Sequence, residues 1–212
     1  MLHNSPREIA PAAERLAVGL QREGFRVALA YADCGTYGEL DQLCERRGLA
    51  RLPGLHCYDV LAGPDRIQAA LEAEPGTYLL TDFLIRSFRY SVIAPLGLDR
   101  HPELWPDYFG HYRRVVWLAQ SPSPELRGEA DAVAAMFGLP LTVIEVGTAR
   151  LERELESLLT RAEVGAPING KSSRNAKTYG PMQPLTLRDH GTCTSRATTA
   201  TPPVTAASGV AR

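Results

Sequence analysis

The chain has 212 residues, 44% hydrophobic and 22% charged, which is enough for one ordinary domain with a real core. Its net charge is −1 at pH 7, so bulk electrostatics give no case for a nucleic-acid or anionic-membrane partner. No apolar run approaches the roughly 18 residues of a membrane span, and Met1 to Pro6 lacks the pattern of an export signal.

Apolar residues at helical spacing, Ile9, Ala12, Ala13, Leu16, Ala17 and Leu20, predict a first helix over 7–22. Phe25 to Tyr31 is an apolar run fit for a buried strand, and a loop from Ala32 to Gly38 follows it. A helix over 39–47 is stopped by Gly48. Leu49 to Leu52 reads as a weak strand. A short helix begins near Tyr58, and a further helix opens at Pro64 or Asp65. Gly76 to Asp82 reads as a strand, 83–94 as a helix, and 103–112 as another after a loop at 97–102. Arg114 to Gln120 is the clearest strand. A helix from Ser123 or Pro124 runs to Phe137, Leu141 to Val146 is the last strand, and a helix over 151–159 closes the domain.

Strands separated by helices predict parallel pairing with right-handed crossovers. The expected fold class is α/β, a three-layer sandwich on a mostly parallel sheet. One domain is expected over residues 1–160 and a disordered tail over 161–212, where Ser, Thr, Ala, Gly and Pro dominate. The charge divides with them: residues 1–160 carry a net −6 and residues 161–212 a net +5. Of four cysteines, Cys193 lies in that tail. Three remain, and with no export signal they imply reduced thiols and a cytoplasmic setting.

In such sheets ligands sit beyond the carboxyl ends of the strands, and the notable polar clusters follow predicted strands. Asp33, Cys34, Gly35 and Thr36 form a strand-to-helix loop. A thiol there has a lowered pKa and is available for ligation or attack. The alternative is a buried Cys in a tight turn capped by Asp33. His56 and Cys57, before Tyr58, are residue types that bind borderline or soft metals, although the chain has no CxxC pair and no HExxH. Their plainer role is a histidine bonded to a carbonyl beside a packed thiol. Thr81 and Asp82 end a strand and bring a carboxylate to the same edge, or cap the next helix. The loop of Asp99 and His101 either brings a charged group to the rim or, in its plainer role, is simply solvated. No GxGxxG or GxSxG occurs, so a dinucleotide-binding turn and a serine elbow have no support.

These blocks resemble a prokaryotic family known as domain of unknown function 1638. The residues that carry the likeness are Leu2 to Pro6, Tyr31 to Gly35, His56 to Tyr58, Gly76 to Leu84, Gly97 to Leu104 and Tyr108 to Gln120, so it spans 2 to about 159. The resemblance implies a setting beside corrinoid-dependent methyltransferases, hence one-carbon chemistry. It also implies a further strand and a Cys-Gly-Ala-Leu segment ahead of Leu2, so the family's first strand is expected to be missing.

Three functional expectations follow. The first is a protein that handles a metal or corrinoid, with Cys34, His56 and Cys57 as ligands and His3 as the fourth. The metal would be zinc, iron or the cobalt of a corrinoid, and the partner a corrinoid methyltransferase system. Asp33, Gly35, Thr36, Tyr58, Thr81, Asp82, Asp99 and His101 would line the pocket. The second is an enzyme with Cys34 as nucleophile, His56 as base and Asp33 or Asp82 as the orienting carboxylate. The third is a non-enzymatic assembly partner of a methyltransferase.

Overall fold

A computed structural model describes residues 5–164. His3, and residues 165–212 of the expected tail, lie outside the described residues, while residues 161–164 of that tail are helical rather than disordered.

The elements alternate as the sequence patterns predict. A 3₁₀ turn over Pro6–Glu8 leads into α1 (Ile9–Arg22), followed by β1 (Ala28–Leu29), α2 (Glu39–Arg47) and β2 (Ala50–Arg51). Two short helices, α3 (Cys57–Ala62) and α4 (Pro64–Ala73), precede β3 (Thr77–Thr81) and α5 (Asp82–Phe88). Then come α6 (Trp105–Phe109), β4 (Arg114–Ala119), α7 (Pro124–Phe137), β5 (Leu141–Glu145) and α8 (Ala149–Val164). Local chemistry sets the ends. In α7 the Ser123 hydroxyl accepts from the Leu126 N–H at 3.2 Å, and Pro124 holds the first turn. The chain leaves α7 through Gly138, whose φ of 64° is left-handed.

The fold is α/β, and every described strand pair is parallel. Sheet order is β3-β4-β5, with Thr77 opposite Arg114 and Val115 opposite Leu141. The single sheet expected is divided: β1 and β2 pair only with each other among the described residues. The run from Phe25 to Tyr31 contributes only Ala28 and Leu29 to pairing, and Phe25 itself is exposed.

Strand alternation builds the layers. Along β4, Val115, Trp117 and Ala119 face a core shared with α5, α7 and Phe109. Val116 and Leu118 face the other way, onto Ile67 of α4 with Tyr58 and Ala62 of α3. That period of two gives the three layers. The smaller sheet is also covered twice. Leu29 and Tyr31 pack with α1 and α2, while Ala28 and Ala50 pack with Val60 and with Leu158 of α8.

Three helices differ from the sequence reading. The stretch 83–94 breaks at Arg89 into a π turn over Arg89–Ile93. The stretch 103–112 shortens to a 3₁₀ turn (Pro102–Leu104) and the five residues of α6. Pro102 and Pro106 each open a helical turn there, because neither has an N–H to donate further in. By contrast, α8 runs to Val164, beyond Leu159, and its last turn is tied down. Arg161 Nη2 donates to the Arg51 carbonyl at 3.1 Å, and Arg26 Nη1 donates to the Glu163 carbonyl.

Candidate functional site

Two loops meet beyond β1 and β2. Asp33 N–H donates to the Gly54 carbonyl at 3.1 Å and Cys34 N–H to the Leu55 carbonyl at 2.7 Å, so the backbones are joined side by side. Each loop is also braced from within. The Asp33 carboxylate accepts from the Thr36 hydroxyl and, at 3.2 Å, from the Gly38 N–H. In the second loop Asp59 Oδ2 accepts from Leu55 N–H at 2.9 Å and His56 N–H at 3.2 Å. Arg51 supports the turn between them. Its guanidinium grips Asp41 at 2.6 and 3.0 Å and donates to the Leu52 carbonyl at 2.6 Å.

This bracing brings the Cys34 and Cys57 thiols together, with Cys34 donating a hydrogen bond to Cys57. That bond, and then burial, raise the Cys34 pKa. The same bond is the main reason the Cys57 pKa is lowered. The N–H groups of Tyr58 and Cys57 add to the effect and burial opposes it. Cys57 is exposed as a residue and Cys34 half-buried. The Tyr31 phenol stands close enough to feel both sulfurs, its pKa pushed up to about 12 by burial first and then by Cys34 and Cys57. Tyr58 flanks the pair as well, its pKa raised by burial and then by Cys57.

Cys34 has φ of 49° and Tyr37 φ of 52°, a left-handed backbone that side chains other than glycine seldom adopt. Such residues cost about 1–3 kcal/mol each and persist where the surroundings enforce them, often at functional sites. Here the Cys34 N–H bond to Leu55 and the Asp33 brace supply the enforcement.

The other residues singled out by sequence divide into those at the pair and those away from it. Asp33 and Thr36 build the Cys34 loop, and Gly35, with φ of 86°, passes Pro6 at close range. His56 caps the start of α3 and its ring lies against Tyr58, with centroids 6.5 Å apart. No described hydrogen bond joins it to Cys34, and of the two thiols it is Cys57 that is favoured as thiolate. Thr81 caps α5 through the Leu84 N–H at 3.2 Å. Asp82 is buried and satisfied by Trp117 Nε1 at 2.8 Å, Gln120 N–H at 3.1 Å and Ser121 N–H at 2.8 Å, so it organises the loop after β4. Asp99 lies 3.9 Å from Arg100, and His101 Nδ1 lies 3.2 Å from Glu103, both pairs on an exposed loop. A shallow hollow along α1, lined by Pro11, Glu14, Arg15, Val18 and Arg22, includes none of these side chains.

Among the described residues no three His, Cys, Asp or Glu side chains gather as a metal set, so the expected trio of Cys34, His56 and Cys57 does not come together as one. The sequence reading passed over Tyr31, Arg51 and Asp59 as parts of the site. Asp59 had a legible signal, since it falls three residues after the helix-capping His56, where a carboxylate reaches back to the cap. Arg51 had none, because its role depends on α2 lying beneath it.

Neither the curated proteins nor the solved structures include a match to this chain. A family model does match, over residues 1–155, and the chain belongs to that family, described as "Protein of unknown function (DUF1638)".

Proposed function

We propose that this is a cytoplasmic protein that handles a thiophilic metal centre through Cys34 and Cys57, in partnership with a corrinoid methyltransferase system of one-carbon metabolism. The observation that supports it is the thiol pair itself. Two cysteines from different loops are held in contact, one of them on a strained backbone, at the edge where parallel α/β sheets bind ligands. Thiolates are the ligands that soft and borderline metals prefer.

The residues fit such a centre as two adjacent donors. A transition-metal ion would take both sulfurs and complete its shell from outside the described residues. For a corrinoid, Cys57 would supply the sulfur donor, because its thiol is the one favoured as thiolate. Cys34 is then its hydrogen-bonding neighbour. When bound, the metal would supply an acceptor for a soft ligand or a methyl group. The chain's own part is to hold the sulfurs, with Asp33 and Asp59 fixing the loops.

The test is a titration of the reduced full chain with cobalt(II), read by sulfur-to-cobalt charge-transfer absorption. Stoichiometric binding is expected, with the charge-transfer band lost in Cys57→Ser and weakened in Cys34→Ser. Equal binding by wild type and the double variant Cys34→Ser/Cys57→Ser overturns the reading.

A further inference from the structure

We infer that Cys34 and Cys57 are also a thiol–disulfide exchange pair, which reduces a small-molecule disulfide and closes into an intramolecular disulfide. This needs only the contact between the two thiols and stands independently of metal binding. Its consequence for the metal rests on the metal reading: closure would consume both donors and switch that site off.

The geometry carries the inference in three ways. The backbone bond from Cys34 N–H to the Leu55 carbonyl brings the two thiols within hydrogen-bonding reach of each other, the approach from which a disulfide closes. The loops that carry them are joined by two backbone hydrogen bonds, Asp33 to Gly54 and Cys34 to Leu55, which hold the two segments side by side. The pair is also asymmetric in access. Cys57 is exposed as a residue and can meet a disulfide, whereas Cys34 is half-buried. Cys44, buried in α2 among Leu40, Leu43 and Leu49, is removed from the reaction.

The chemistry balances in two displacements. The Cys57 thiolate attacks one sulfur of the small disulfide, forms a mixed disulfide and releases the first small thiolate. Cys34 then gives its proton to solvent, and its sulfur attacks Cys57 Sγ. The mixed disulfide breaks and the second small thiolate leaves. Two electrons pass from the protein to the disulfide, which becomes two thiols, while the protein gains one S–S bond.

The experiment exposes the reduced full chain to oxidised glutathione, quenches with acid, and alkylates under denaturing conditions before mass spectrometry. The expected result is the loss of two alkylatable thiols and a peptide in which Cys34 is linked to Cys57. In Cys34→Ser the mixed disulfide at Cys57 should accumulate unresolved. A stable wild-type mixed disulfide with Cys34 still alkylatable overturns the inference, as does a failure of both thiols to react. Cobalt binding measured separately on the reduced chain distinguishes the two proposals: closure without metal binding overturns only the metal reading.

Discussion

Gly54 shows how a single residue sets the geometry of the thiol loops. Its φ is 101°, and a Cβ there would meet Asp59 Cβ at 3.0 Å and Oδ2 at 3.4 Å. That carboxylate holds the Leu55 and His56 N–H groups, so the clash and the backbone strain reach the loop that carries Cys57. Gly54→Ala is expected to cost about 1–3 kcal/mol, seen as a lower urea midpoint. It should also weaken cobalt binding, because the loops would no longer hold the sulfurs together. An unchanged midpoint would show that the 52–56 turn relaxes freely. At this scale the sequence was informative about residue types and less so about roles. Cys34 and Cys57 stood out by chemistry and position, but Asp82 seemed equally open to ligand and is instead occupied by three N–H donors.

Among the elements, α2 and β2 depend on one buried ion pair. The Arg51 side chain is only 4% exposed, and its bidentate partner Asp41 is 32% exposed on α2. Removing the carboxylate leaves a guanidinium enclosed with backbone carbonyls alone. Breaking a buried pair from one side costs about 3–5 kcal/mol, and the partial exposure of Asp41 puts Asp41→Ala at the lower end of that range. Chemical denaturation should show the loss, and Arg51→Met should recover part of it by removing the stranded charge. A loss in Asp41→Ala no larger than for an exposed pair such as Arg127–Asp131 would mean that water reaches Arg51. The elements were mostly legible because helical and strand periods are local. Their ends were less so: α8 extends to Val164 because Arg161 finds the Arg51 carbonyl, a contact 110 residues apart in sequence.

For the whole molecule, the central strand β4 carries the two cores back to back. Leu118, 1% exposed, belongs to the face covered by α3 and α4. Leu118→Ala is expected to cost about 2–5 kcal/mol, whereas Leu16→Ala, on a residue 70% exposed, should stay within about 0.5 kcal/mol. Thermal melts of the two variants check the layer assignment. The sequence by itself determined the α/β class, the parallel pairing, the strands β3 and β4, and which loops fall at the carboxyl edge. All of these follow from periodicity and from the handedness of crossovers, which are local or general. Only the tertiary structure decided that the sheet is divided in two, that Cys34 meets Cys57 rather than His56, and that Arg51 and Asp59 are what hold them. Those outcomes depend on hydrogen bonds between segments distant in the chain, and no local pattern encodes which donors meet which acceptors once the layers close.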